Sequence, residues 1–193
     1  VGADDVLRLL RSLGLTTLDR PAADYGLGLT LGGCDVRLDE LAGAYTALAN
    51  LGDYRPLQWR QPGPTRAAPG RSVDPPPLPL SLLSRGVCLS LYEMLNQPLP
   101  GDLAADETAR VGAAPRVCWK TGTSTGRHDA WAFVFNRQYV VGVWVGNNDG
   151  SPAPQLVGLR AALPLAAEVF RRLPPVSQSD WPAAGEDLRP VIV

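Results

Sequence analysis

Between Val117 and Gly146 the sequence reads VCWKTGTSTGRHDAWAFVFNRQYVVGVWVG, three β-forming stretches with only short polar breaks between them. Strands joined by such short breaks can only pair antiparallel, so this segment commits the chain to a meander. The expected strands are Arg116 to Ser124, Trp131 to Phe135 and Tyr139 to Val145, the last two joined by Asn136-Arg137-Gln138 as a hairpin loop. Both alternating faces of the third strand are apolar or small, which places it in a sheet covered on both sides. The fold class that follows is α/β in the α+β sense, an antiparallel central sheet flanked by helices.

Helical periodicity supplies the cover. Residues Ala3 to Leu13 put Val6, Leu7, Leu9, Leu10 and Leu13 mostly on one face, with Asp4 and Asp5 in the first turn and Gly14 at the end. Leu38 to Leu51 carries an apolar stripe through Leu41, Ala42, Tyr45, Leu48 and Ala49, with Gly52 as its stop. Leu80 to Leu95 and Leu159 to Leu173 read as two further helices, with Pro164 in or just before the first turn of the last. The glycines of Tyr25 to Gly33 argue against a strong helix and for backbone running close to something. A short strand is expected over Tyr54 to Trp59. Residues 61–79 form a Pro/Gly-rich loop, and 174–193 read as a linker or tail that adds no core, which leaves 1–173 as the domain.

A net charge of −1 gives no electrostatic case for nucleic acid or an anionic membrane surface. No apolar run is long enough for a membrane span, and no signal peptide is visible at Val1, so this chain is expected to be soluble. The chain begins abruptly inside what reads as a helix, as a piece of something longer would. Cys34, Cys88 and Cys118 are widely spaced and His128 is the single histidine, which leaves a zinc site short of ligands. No metal and no cofactor is expected.

Lys120 is the only lysine among 18 cationic residues and opens a Lys-Thr-Gly-Thr run. On a strand, Lys120 and Gly122 face one side while Thr121 and Thr123 face the other. An ammonium projecting into a cleft supplies positive charge and proton relay, and a glycine beside it leaves the strand surface open. The exposed backbone can then take an extended peptide as an added strand. A backbone N–H near Thr123 can stabilise a developing oxyanion, and the hydroxyls of Thr123, Ser124 and Thr125 can hold a substrate carboxylate.

WKTGTS followed by RHDAWAF and YVVGVWVGNNDGSP resembles the third motif and following hairpin of the penicillin-binding transpeptidases. Upstream, LGLTLGGCDVRLDELAGAYTALANLG is similar to the segment that precedes that motif in the bifunctional class A enzymes, and DVRLDELAGAYTALAN with VGLRAALPLAAEVF resembles the 1C-type branch. The resemblance covers nearly the whole chain. It implies a β-lactamase/transpeptidase-like fold in which a serine of a Ser-x-x-Lys motif attacks peptidoglycan stem peptide, with Ser-x-Asn and Lys-Thr-Gly lining the cleft. It also implies a parent protein on the periplasmic face of the inner membrane, with an anchor and a glycosyltransferase part upstream. The partners implied are the stem peptide, its lipid-linked precursor and, for the complete domain, β-lactams.

This sequence departs from that pattern in two places. Position 117 is Val, so no Ser-x-x-Lys ends at the sole lysine, and no Ser-x-Asn triplet occurs. In the family both motifs lie N-terminal to the part that resembles residues 1–50, so the chain reads as an incomplete domain, inactive alone, with its nucleophile outside these residues. Competing readings are a serine β-lactamase or carboxypeptidase half, and a non-catalytic module that binds peptidoglycan or a partner. Trp131, Phe133, Trp144, Tyr25 and Tyr45 are expected in the core. His128 and Asp129 are adjacent and point apart, so they are expected to serve loop hydrogen bonds rather than act as a catalytic pair.

Overall fold

The computed structural model describes residues 2–59, 79–100, 117–174 and 181–182. The expected 61–79 loop, all but the end of it, and most of the 174–193 tail lie outside these residues. Three strands, β3 (Cys118–Thr123), β4 (Asp129–Phe135) and β5 (Val140–Gly146), form an antiparallel sheet in the order β3-β4-β5. The register pairs Lys120 with Phe133, Gly122 with Trp131 and Trp131 with Trp144.

That register sorts the side chains into two layers. Ala130, Ala132 and Val134 of β4 face α5 (Leu163–Arg172), where they meet Leu163 and Ala166, with Val141, Val143 and Val145 beside them. On the opposite face Phe135 packs with Tyr92 of α4 (Arg85–Leu95), and Tyr45 of α3 (Leu38–Ala49) stacks on Phe133 at 4.2 Å. A Cβ on Gly142 would meet Leu38 of α3 at 3.2 Å, so β5 is covered from both sides as its composition requires. Burial on this side raises the Tyr45 phenol to about 12.

α1 (Ala3–Ser12), α2 (Ala22–Tyr25) and the 3₁₀ turn Gly26–Leu31 build a separate apolar cluster around Leu7, Leu15, Leu18 and Leu29. The glycine-rich stretch is therefore a tight helix. Gly33 N–H closes it on Gly28 O at 2.7 Å, and the close backbone approach is within the segment itself.

Two boundaries differ from the periodicity. β1 is only Asp53–Tyr54 and pairs with β2, Leu80–Ser81, residues that the apolar pattern assigns to a helix. α4 starts later because Ser84 is its N-cap, its side chain accepting Val87 N–H at 3.3 Å. Before α5 the backbone widens into a π turn over Gly158–Ala162, with Pro164 in the first turn of the α-helix. Trp144, expected in the core, is 40% exposed. Trp181 and Pro182, in the stretch expected to add no core, do add to it: Pro182 is buried and Trp181 packs edge-on against Tyr92 at 5.3 Å.

Candidate active-site strand

β3 is an edge strand. At its start Asn96 bridges to Cys118 and the Trp119 indole N–H donates to Gln97 O at 3.0 Å; from Lys120 onward no described strand pairs with its outer edge. Ser124 N–H donates to Asp129 O at 3.0 Å, which marks that pair as a hydrogen-bonded one. Hydrogen-bonded and non-bonded pairs alternate in an antiparallel ladder, so Thr123 and Thr121 turn their N–H and C=O groups away from β4 to the open edge. The Lys120 ammonium donates to Thr121 O, in keeping with that carbonyl lying outward. Among the described residues, the outward backbone groups of Thr121 and Thr123 are paired with no other strand.

Lys120 and Gly122 share the face that carries Trp131, Phe133 and Trp144, as the alternation requires. Lys120 is exposed and, among the described residues, has no acidic partner. Thr121 and Thr123 lie on the α5 face. The Thr123 hydroxyl is engaged there, accepting Gly158 N–H at 2.9 Å. The Ser124 hydroxyl is engaged as well, accepting the N–H groups of His128 at 3.1 Å and Asp129 at 2.8 Å in the following turn. Of the expected hydroxyls, only that of Thr125 stands at an exposed position with no hydrogen bond assigned among the described residues.

Three supports of this strand were not apparent from sequence. Gly158 lies so close beneath β3 and β4 that a Cβ there would come within 2.7 Å of Trp131 O and closer still to Gly122 O. Glycine is required by proximity at this point. The indole N–H of Trp144 donates to Asp129 Oδ1 at 2.9 Å, pinning the end of β5 to the start of β4. His128 reaches Gly150 O at 2.7 Å. His128 and Asp129 thus have separate partners, as their adjacency predicts. A glycine before a helix or a histidine in a turn carries no local signal that names a partner 22 or 35 residues away.

Among the described residues no group of three or more His, Cys, Asp or Glu side chains could hold a metal ion, and no helix is long and apolar enough to cross a membrane.

No protein-family model matches the chain. It is 36% identical over 163 residues to penicillin-binding protein 1C of Escherichia coli K12, a match that takes in 83% of this chain and 19% of that protein. Its fold is similar to that of the penicillin-binding protein PonA1 from Mycobacterium tuberculosis, with a TM-score of 0.68 at 17% identity over 98% of this chain and 56% of that one. A second similar structure is the apo transpeptidase domain of penicillin-binding protein 3 from Burkholderia pseudomallei, at a TM-score of 0.54, 18% identity, 91% of this chain and 60% of that one. The chain therefore spans about a fifth of the curated relative it matches and little more than half of these solved structures. The fold is that of penicillin-binding transpeptidase domains, present in part.

Proposed function

We infer that this chain is the C-terminal part of a penicillin-binding transpeptidase domain and forms one wall of its cleft, in a parent enzyme that cross-links peptidoglycan stem peptides by serine acyl transfer. The observation that carries the reading is the pairing of Lys120 and Gly122 on one face of β3 with outward backbone groups of Thr121 and Thr123 on its open edge. A stem peptide lying along that edge accepts and donates backbone hydrogen bonds as an added strand. When a serine oxygen attacks the scissile carbonyl, negative charge moves onto the carbonyl oxygen, and Thr123 N–H is the donor this chain brings to it. Lys120 supplies positive charge and a proton path beside the reacting centre. The Thr125 hydroxyl is placed for the terminal carboxylate of the peptide; the hydroxyls of Thr123 and Ser124, occupied by Gly158 and by His128 and Asp129, support the strand in the same site.

The nucleophile is assigned to residues outside this sequence, since it has neither Ser-x-x-Lys nor Ser-x-Asn. The 193-residue chain is accordingly inactive alone. The parent protein is placed at the periplasmic face of the inner membrane through an upstream anchor, takes lipid-linked precursor as well as stem peptide, and is acylated by β-lactams. A non-catalytic module that binds peptidoglycan is the second reading, favoured by the same missing motifs.

Labelling with a fluorescent penicillin separates these. An adduct is expected on the protein of the whole reading frame and none on residues 1–193. Labelling of the short chain overturns the external nucleophile, and no labelling of the long one overturns the transpeptidase reading in favour of the module. In the long protein, Lys120→Ala is expected to slow acylation by about 100-fold, with no recovery in Lys120→Arg, because a guanidinium cannot relay a proton.

A further inference from the structure

The turn 124–128 that ends β3 and the turn 147–154 that follows β5 are bound to each other at one end of the sheet. Ala153 N–H donates to Arg127 O at 3.0 Å, the Arg127 guanidinium donates to Pro154 O at 3.1 Å, and His128 Nδ1 lies 2.7 Å from Gly150 O. A carbonyl oxygen only accepts, so Nδ1 carries the proton and donates in this contact. Gly126, at φ +76°, lets the chain fold back beneath the ring, where a Cβ would meet the imidazole at 2.9 Å from Nε2. Arg127 is itself held at φ 61°, a conformation that persists only when neighbouring contacts enforce it. Thr125 stands on the turn these contacts fix, two residues beyond Thr123.

We propose that His128 is a positioning residue for the acyl-transfer site: by donating Nδ1–H to Gly150 O it clamps the two turns together and holds the Thr123–Thr125 end of β3 where substrate must lie. This rests on the transpeptidase reading above for its substrate. The clamp itself is a property of the two turns. His128 does not touch the reacting atoms in this role, and its effect passes through the backbone of residues 124–127.

Asparagine places its side-chain N–H₂ close to where histidine places Nδ1–H, so His128→Asn keeps the donor while His128→Ala removes it. In residues 1–193, amide hydrogen exchange at Arg127, Gly150 and Ala153 is expected to quicken about fivefold in His128→Ala and to return to the wild-type rate in His128→Asn. In the protein of the whole reading frame, the acylation step with a fluorescent penicillin is expected to slow about tenfold in His128→Ala, at an unchanged melting temperature, and to recover in His128→Asn. Unchanged exchange in His128→Ala, or exchange as fast in His128→Asn, overturns the clamp. Quickened exchange with normal acylation overturns the positioning role. A wild-type protein that is never acylated overturns the transpeptidase reading, while the exchange measurement still decides the clamp.

Discussion

Cys118 shows how a single buried side chain contributes to the pH response of this fold. It is fully buried at the foot of β3, gives its S–H to Tyr92 O at 3.4 Å, and burial pushes its thiol from an ordinary 9.0 up to about 12. The folded state therefore binds this proton more tightly than the unfolded state. Its contribution to stability is whole below pH 9 and is lost as pH rises from 9 towards 12. Denaturant melts across that window are expected to show wild-type stability falling more steeply than that of Cys118→Ala, and equal slopes would show that the thiol does not titrate with unfolding. Gly158 makes a second residue-scale argument. Its missing side chain lets the π turn lie against the backbone of Gly122 and Trp131, and backbone cannot swing aside as a side chain can. Gly158→Ala is expected to lower stability by about 1–3 kcal/mol, measured by denaturant unfolding.

At the scale of elements, β3 is held from its α5 side by the bond between Gly158 N–H and the Thr123 hydroxyl. Thr123→Val keeps the shape of the side chain and leaves the N–H of a buried glycine without its acceptor, a loss of about 1–3 kcal/mol. Thr123→Ser retains the oxygen and is expected to unfold near the wild-type midpoint; a Ser variant as weak as the Val variant would mean the methyl group carries the effect. The β3-β4-β5 meander and the placing of Lys120 and Gly122 opposite Thr121 and Thr123 were legible because period-two alternation and short breaks are local. The same locality explains the failures. Leu80 and Ser81 fit an apolar helical stripe, and only pairing with Asp53 and Tyr54, remote in sequence, makes them a strand. Ser84 was the available signal for the true helix start. Trp144 alternates as a core residue should, yet it stands at 40% exposure with its indole N–H bound to Asp129, a polar contact that β-propensity does not encode. The engagement of Thr123 and Ser124 within the fold depends on contacts from Gly158 and from the following turn, which no local pattern around Lys120 names.

At the scale of the molecule, three apolar clusters divide the load among the described residues. One lies among α1, the 3₁₀ turn and α3, one between the sheet and α5, and one between the sheet and α4. The third is built on few large side chains: Tyr92 and Phe135 meet edge-on at 5.5 Å, and Trp181 packs edge-on against Tyr92 at 5.3 Å. Tyr92 also donates its hydroxyl to Ala49 O at 3.3 Å, which ties α4 to the end of α3, while its backbone carbonyl accepts the Cys118 thiol of β3. A residue from the tail thus seals the cluster on which the foot of the Lys120 strand rests. Trp181 is half-buried, so its truncation costs less than that of a fully enclosed tryptophan. Trp181→Ala is expected to destabilise by about 2 kcal/mol, and Trp181→Phe, which keeps an aromatic edge for Tyr92, by less than half of that. Chemical denaturation followed by far-ultraviolet circular dichroism measures both without relying on the lost indole. A Trp181→Ala variant that unfolds at the wild-type midpoint would show that the cluster is complete without the tail. The expected loss would make the segment after α5 part of the support of β3, acting through Tyr92 and Cys118.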